Sequence, residues 1–195
     1  FSRDNYEPLS EKKLAEYIAN INTRPLLKAK EKLRLSLAGA QEKLPLTYVD
    51  GKYYLPKNGA PSTHIVKPTG SGDLSSLAAN EYICTKLAEN CNLPISKTEL
   101  KRIGGVEFLL INRYDRFCEG NRFSRVHQED MCQALGILSD KKYQNDGGPS
   151  IADIYKLIKE QTTIPLLETR NFLRYDIFNL VIGNCDAHGK NYSLL

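Results

Sequence analysis

Residues 183–191 read Gly-Asn-Cys-Asp-Ala-His-Gly-Lys-Asn and follow a long apolar segment. The spacing of apolar residues in that segment predicts a helix over 165–182. Gly, Asn and Asp cluster in turns for backbone reasons alone, so the stretch in isolation is best explained as a polar turn at a helix end. Whether it carries chemistry depends on the residues that precede it.

The spacing of Asp186 and Asn191 matches a catalytic loop as well as a turn. Protein kinases hold an Asp that accepts the substrate hydroxyl proton and, after four intervening residues, an Asn that binds magnesium. On this interpretation Asp186 is the general base and Asn191 the metal ligand. His188 would contact the γ-phosphate rather than act as the base, because Asp186 can do the work of the base without a shifted imidazole.

Two upstream residues occupy the positions that this interpretation needs. Lys67 ends a β-prone run that begins near Ser62, where kinases hold a lysine that pairs with the α- and β-phosphates. A Gly/Ser linker follows, and then a predicted helix that bears Glu81, which we expect to pair with Lys67. The alternative is a solvated lysine on an edge strand.

A loop of small residues precedes the first predicted hairpin. Residues 36–43 read Ser-Leu-Ala-Gly-Ala-Gln-Glu-Lys and lie where kinases place their phosphate-covering loop. Their single glycine fails the G-x-G-x-x-G criterion, and a helix N-terminus or a connector explains them about as well. Backbone N–H groups of such a loop can still hold phosphate.

Local signals alternate between strands and helices along the chain. Asp50-Gly51 and Gly104-Gly105 are typical hairpin turns. They predict the strand pairs Leu44–Val49 with Lys52–Leu55, and Lys97–Ile103 with Val106–Asn112. Apolar periodicity predicts helices over 10–22 with Ser10 as N-cap, after the linker, and over 128–137, 150–160 and 165–182. In the helix after the linker, the residues expected to face inward are Leu77, Ile83, Cys84, Leu87 and Ala88.

This order of elements predicts an α+β fold with two lobes, of the protein-kinase type. The predicted divisions are a helical lead-in and connector over 1–34, a β-rich ATP-binding lobe over 35–127, and the beginning of an α-helical lobe over 128–195. The helical lobe is expected to end in the catalytic loop.

The composition favours a soluble, cytoplasmic protein. No apolar run approaches the roughly 18 residues that a transmembrane helix requires, and no secretory signal is apparent. The five cysteines are an odd number without a C-x-x-C pair, so neither a disulfide framework nor a zinc site is indicated. A net charge of +4 is compatible with contact to phosphate or nucleic acid but does not by itself indicate either.

Successive motifs together resemble the HipA family of serine/threonine kinases. The resemblance covers about Leu35 to Asn191 and rests on SLAGAQEK (36–43), STHIVKP (62–68), NEYIC (80–84), RYDR (113–116), HQEDMCQALG (127–136), YQNDGGPSI (143–151) and GNCDAHGKN (183–191). It implies the toxin of a toxin–antitoxin pair that uses ATP and Mg²⁺. It also implies an antitoxin of HipB type, DNA contact only through the antitoxin complex, and a protein substrate such as an aminoacyl-tRNA synthetase.

The resemblance assigns roles residue by residue. Asp186 would be the base and Ser36 a site of autophosphorylation, whose added negative charge beside the phosphate loop would switch the enzyme off. Asn112 stands where a glutamate is frequent in the family. The implied nucleotide-binding residues are Ala38, Gly39, Ala40, Gln41, Glu42, Lys43, Lys67, Asn112, Arg113, Tyr114, His188, Gly189, Lys190 and Asn191, the last also a metal ligand.

Kinases need a second metal-binding Asp after the catalytic loop. Only four residues follow Asn191 here, so we expect weak or no turnover from residues 1–195 alone. Two other functions stay open: a catalytically silent module that binds an antitoxin and assists DNA autorepression, and a small-molecule phosphotransferase, against which the SLAGAQEK element argues.

Overall fold

A computed structural model of the chain describes residues 5–21, 43–69, 77–119 and 122–195. The contacts divide the chain into two compact units. The first contains the residues up to Glu89 together with Pro94–Arg125, and the second contains Asn90–Leu93 with Val126–Leu195. The lobe boundaries predicted from the sequence stay a prediction.

The first unit is built on an antiparallel sheet of order β1-β3-β2-β4-β6-β5. Its strands are β1 Tyr6–Leu9, β2 Leu44–Val49, β3 Lys52–Pro56, β4 His64–Pro68, β5 Thr98–Ile103 and β6 Val106–Asn112. Both predicted hairpins are confirmed. Their turn residues all have positive φ, 50° and 75° at Asp50 and Gly51, and 57° and 82° at Gly104 and Gly105. These are the conformations that two-residue hairpin turns require.

One face of this sheet carries the core of the first unit. Strand residues point alternately to opposite faces, so Leu44 and Leu46 of β2, Val66 of β4 and Phe108 and Leu110 of β6 share a buried face. The helix α1, Glu11–Asn20, packs Leu14 and Ile18 into the same cluster. The predicted N-cap is confirmed, since Ser10 Oγ accepts a hydrogen bond from the Lys13 amide at 3.3 Å.

The helix after the linker, α2, spans Leu77–Asn90 and buries only part of the predicted stripe, since Ala88 is buried as predicted and other members of the stripe are not. Ala78 and Ala88 are buried, whereas Leu77, Ile83 and Leu87 are exposed at 42%, 57% and 47%. The prediction of an inward apolar face was therefore wrong at these three residues. Apolar residues on more than one side of α2 left the choice of face open.

The second unit is mainly helical. Its helices are α3 Met131–Ala134, α4 Ile151–Gln161 and α5 Pro165–Val181. Met131, Ile154, Leu157, Ile158 and Phe172 form its buried cluster. The helix predicted over 128–137 is wrong in extent. Residues 129–130 pair as a strand instead, and Asp130 caps a single helical turn through a reciprocal bond with Gln133.

Several short strands were not predicted from the sequence. β7 Arg116–Glu119 pairs with β8 Arg122–Arg125 in the first unit, and β9 Glu129–Asp130 pairs with β10 Ser193–Leu194 in the second. Strands of two to four residues are too short to show a period of two. In addition, β9 and β10 lie far apart in the sequence. Among the described residues, no helix is long and apolar enough to cross a membrane.

Candidate active site

Lys67 and Glu81 form an ion pair in the first unit. Lys67 follows the buried Val66 in β4, so its side chain points to the opposite face of the sheet, where Glu81 of α2 lies. Lys67 Nζ donates to Glu81 Oε1 at 2.6 Å and to Oε2 at 2.9 Å. The two side chains are 21% and 35% exposed. The carboxylate thus holds a lysine that solvent and an anion can still reach.

The segment Asn112–Tyr114 is fixed by its backbone and by Arg113. The amide of Asn112 donates to the Lys97 carbonyl and that of Arg113 to the Thr63 carbonyl, each at 2.9 Å. The Arg113 guanidinium is bound to both carboxylate oxygens of Asp115 at 3.0 and 2.8 Å. The two amides and the guanidinium are therefore engaged within the protein rather than available to a nucleotide.

Asp115 anchors this segment between two arginines. Its side chain is 6% exposed and accepts bonds from Arg113 and Arg116. Burial acts to raise the pKa of Asp115, but the bonds and charges of the two arginines outweigh burial and hold that pKa below its usual value. The RYDR motif therefore has a structural explanation.

The polar loop 183–191 begins at the C-terminus of α5. Gly183 has a φ of 70°, which is typical of the residue that ends a helix, and the Asn184 amide donates to the Asn179 carbonyl at 2.8 Å. The Asn184 side chain binds Asn179 Oδ1 at 2.9 Å and accepts from the Asp186 amide at 3.2 Å. The helix end therefore sets the position of Asp186.

Asn191 closes the loop onto Asp186. Its Nδ2 donates to the Asp186 carbonyl oxygen at 2.6 Å. Immediately afterwards the chain enters β10, where Ser193 pairs with Asp130, and the Met131 amide donates to the Tyr192 carbonyl at 3.1 Å. Both ends of the loop are therefore anchored, so Asp186 and Asn191 have fixed positions relative to each other.

His188 lies next to the Asp186 carboxylate, and 8% of its side chain is exposed. Burial and the charge of Lys142 lower the pKa of His188 from its usual value, so the ring is neutral near pH 7. Its Nδ1 accepts from the Lys190 amide at 3.2 Å, which places the proton on Nε2. Nε2 is 3.7 Å from Asp186 Oδ1.

Gly189 and Lys190 have packing and ion-pair partners. A Cβ at Gly189 would lie 2.9 Å from Cys132 Sγ and from Pro149 Cδ, so only glycine fits there. The Gly189 amide donates to the Lys142 carbonyl at 3.1 Å, and Lys190 Nζ lies 3.6 Å from Asp130 Oδ2. The Gly189 amide is thus engaged by the protein rather than offered to a phosphate.

Residues 141–149, for which no role was predicted, pack against this loop. Tyr143 OH donates to Asp186 Oδ1 at 2.6 Å, and its ring meets the His188 ring edge-on at 5.0 Å. The Gly147-Gly148 pair was the available signal of a tight turn. A Cβ at Gly148 would lie 2.6 Å from the Lys141 carbonyl oxygen, which shows how closely the turn folds back.

The donor atoms suit a magnesium ion held mainly by a nucleotide. Asn191 uses its amide nitrogen within the loop, which leaves its Oδ1 as an oxygen ligand of the kind Mg²⁺ prefers. Among the described residues, no group of three or more His, Cys, Asp or Glu side chains could bind a metal. Mg²⁺ commonly takes one or two protein oxygens together with phosphate oxygens and water, so Asn191 fits that requirement.

Part of the predicted phosphate loop lies outside the described residues. This applies to Ser36, Ala38, Gly39, Ala40, Gln41 and Glu42. Lys43 is described and directly precedes β2. The roles predicted for the residues of this loop stay predictions.

A family model described as the HipA-like C-terminal domain matches residues 35–195. The serine/threonine-protein kinase toxin HipA of Shewanella oneidensis is 33% identical over 174 residues, which cover 83% of this chain and 40% of that protein. A relative in Sinorhizobium fredii with a provisional kinase name is 41% identical over 189 residues, covering 96% of this chain and 45% of the relative. The chain therefore spans less than half the length of these relatives.

The structural comparison agrees with the sequence matches. The chain superposes with a TM-score of 0.75 and 30% identity on a chain from the Shewanella oneidensis complex of HipA, HipB and operator DNA. The match covers 96% of this chain and 46% of the other. The predicted α+β fold of HipA kinase type is thereby confirmed.

Proposed function

The chain belongs to the family of HipA-like C-terminal domains, and from that premise we propose that it carries the ATP-binding and catalytic residues of a toxin-type serine/threonine protein kinase. The observation that carries the proposal is the anchored loop 183–191. This loop presents the exposed carboxylate of Asp186 and holds Asn191 to its backbone at 2.6 Å. These are the two side chains that a kinase catalytic loop supplies.

Asp186 acts as the general base in this proposal. The substrate hydroxyl oxygen forms a bond to the γ-phosphorus of ATP, and the bond from that phosphorus to the β,γ-bridging oxygen breaks. ADP leaves with the electron pair of the broken bond, and the hydroxyl proton passes to Asp186. The Asp186 side chain is 73% exposed, so a protein Ser or Thr can reach it.

Lys67 contacts the α- and β-phosphates, and Glu81 holds it in place. Support comes from the two short bonds between them and from the remaining exposure of the lysine. The carbonyls of Asn112–Tyr114 are proposed to contact adenine, and Ala38–Lys43 to cover the phosphates. His188 was predicted to contact the γ-phosphate. Because its side chain is buried beside Asp186, we propose instead that it helps to hold the base in position.

Asn191 would hold Mg²⁺ through Oδ1, beside the phosphate oxygens. Magnesium, when bound, neutralises phosphate charge that develops during transfer. At the same time, the Nδ2 of Asn191 donates to the backbone carbonyl of Asp186, so the proposed metal ligand and the proposed base are held together. The second metal-binding carboxylate of kinases is not assigned to any residue of this chain.

An antitoxin of HipB type is the proposed partner, with DNA contacted only through that partner. The solved neighbour, which contains HipA, HipB and operator DNA, supports this proposal. The substrate is a protein serine or threonine. The aminoacyl-tRNA synthetase class and autophosphorylation at Ser36 stay predictions from the family resemblance.

The test uses the protein encoded by the complete reading frame, labelled ATP and Mg²⁺. Asp186→Asn keeps the size of the side chain and removes the base, so we expect phosphate transfer to fall by about 100-fold or more. Asp140→Asn, an exposed carboxylate of the same unit, is the matched control and should leave transfer unchanged. Mass spectrometry of Ser36 checks the autophosphorylation site. Equal transfer by Asp186→Asn and unsubstituted protein would reject Asp186 as base.

The same experiment separates the kinase from a silent antitoxin-binding module. The HipB-containing neighbour is the observation that favours this second candidate. Absence of label from the unsubstituted protein, together with retained antitoxin binding and no stabilisation by Mg-ATP, would replace the first proposal with the second.

A further inference from the structure

The hydroxyl of Tyr143 reaches the proposed base from a distant part of the sequence. Tyr143 precedes Asp186 by 43 residues and donates to its Oδ1 at 2.6 Å. A phenol that donates to a carboxylate makes a charge-assisted bond, which is stronger and more directional than a bond between neutral groups. Nothing in the reaction proposed above uses this hydroxyl.

Several contacts hold Tyr143 in place. Its carbonyl accepts from the amides of Asp146 at 3.0 Å and Gly148 at 2.8 Å. Its ring packs edge-on against the buried His188, at 89° between the ring planes, and Lys142 Nζ lies 4.9 Å from the ring centroid. The segment is therefore fixed against the loop independently of the hydroxyl, which is a condition for orienting another group.

The two oxygens of the Asp186 carboxylate consequently differ. Oδ1 accepts from Tyr143 and faces the protonated Nε2 of His188 at 3.7 Å. Among the described residues, no hydrogen bond reaches Oδ2. A carboxylate held through one oxygen presents the other in a defined direction, and base catalysis requires such a defined position within hydrogen-bond reach of the proton.

We infer that Tyr143 is a positioning residue that occupies Oδ1 of Asp186 and so directs Oδ2 to the substrate hydroxyl. The inference rests on the proposed function, in which Asp186 is the base. Tyr143 keeps its own proton throughout, and the substrate proton goes to Oδ2. In agreement with this, the bond to Asp186 raises the pKa of Tyr143 above its ordinary value.

The test is Tyr143→Phe in the protein encoded by the complete reading frame, assayed with Mg-ATP. The phosphate acceptor is the one that the Asp186→Asn experiment identifies, either Ser36 or another protein residue. The variant keeps the ring and its contact with His188 and loses only the hydroxyl. We expect kcat to fall by about tenfold, KM for ATP to stay within about twofold, and the melting temperature to be unchanged. Tyr155→Phe is the matched control, because Tyr155 packs on Phe172 in the same unit. It should retain full kcat.

Three results would overturn the inference. The first is an unchanged kcat in Tyr143→Phe; if Asp186→Asn is inactive in the same assay, the proposed function survives that result. The second is a lower melting temperature or a raised KM alongside the lower kcat, because either would indicate a structural role. The third is the absence of transfer by unsubstituted protein, which removes the base and the proposed function together.

Discussion

At the scale of residues, short polar contacts hold the side chains of the candidate site. Lys67 is bound by both oxygens of Glu81, and Asp186 is set by the Asn184 side chain, Tyr143 and Asn191. In each case a partner fixes the direction of a charged group while leaving part of it exposed. Preorganisation of this kind is the main contribution that a protein makes to phosphoryl transfer.

Glu81→Gln tests the ion pair at this scale. The substitution removes the charge that holds Lys67, so we expect the apparent affinity for Mg-ATP to fall by about tenfold, with a smaller change in kcat. Isothermal titration and KM for ATP measure the effect. Glu89→Gln on the same helix is the control, because Glu89 pairs with the partly exposed Lys86 at 2.7 Å. Equal losses in the two variants would contradict a specific role for Glu81.

At the scale of elements, helix ends and tight turns place the site. The C-terminus of α5 begins the loop that carries Asp186, and α4 follows directly after the segment that carries Tyr143. The N-terminus of α4 is stabilised by a capping box. Ser150 Oγ accepts from the Asp153 amide at 3.1 Å, and Asp153 accepts from the Ser150 amide at 2.9 Å.

Ser150→Ala removes half of this capping box. We expect the second unit to lose about 1 kcal/mol of unfolding free energy, the usual effect of losing a serine N-cap. Urea unfolding followed by circular dichroism measures the loss. Lys159→Ala lies on the exposed side of the same helix and should change stability by less than about 0.5 kcal/mol. A stability equal to that of unsubstituted protein would show that the cap is not energetically important.

At the scale of the whole molecule, the two units have different sources of stability. The first combines a six-stranded sheet with α1, and the second packs helices around Phe172. The first unit also contains a half-buried titratable ring. His64 accepts or donates a 2.7 Å bond with Thr63 Oγ1 and meets the Tyr48 ring edge-on, with Glu99 and Lys101 nearby.

The stability of the first unit should depend on His64 in acid. Burial lowers the pKa of His64 to about 4. Between pH 6.5 and about 4 the unfolded chain therefore binds a proton that the folded state does not, so stability falls as the pH falls through that window. Allowing for partial exposure, the loss is on the order of 1 to 2 kcal/mol.

Tyrosine fluorescence during urea unfolding at pH 7 and pH 5 measures this loss, since the chain has 11 tyrosines and no tryptophan. His64→Gln should reduce the difference between the two pH values. His127→Gln replaces an exposed histidine and should leave the difference as it is. If His64→Gln retains the full pH dependence, other groups cause the acid loss.

The sequence by itself determined the parts of this protein that depend on local chemistry. Asp50-Gly51 and Gly104-Gly105 specify hairpins because few other residues adopt positive φ, and Ser10 and Ser150 cap helices through atoms three residues away. The order of Lys67, Asp186 and Asn191 indicated the fold family, because each residue type is tied to one chemical task. The comparisons confirmed that family.

Only the tertiary structure decided which distant groups meet. Apolar residues on several sides of α2 left its buried face open, and packing selected Ala78 and Ala88. Tyr143 begins the YQNDGGPSI motif, but nothing in that motif indicated its partner, because its bond to Asp186 joins positions 43 residues apart. Sequence patterns report preferences of neighbouring residues, whereas such contacts depend on how the turn at Gly147-Gly148 and the close approach at Gly189 bring two segments together.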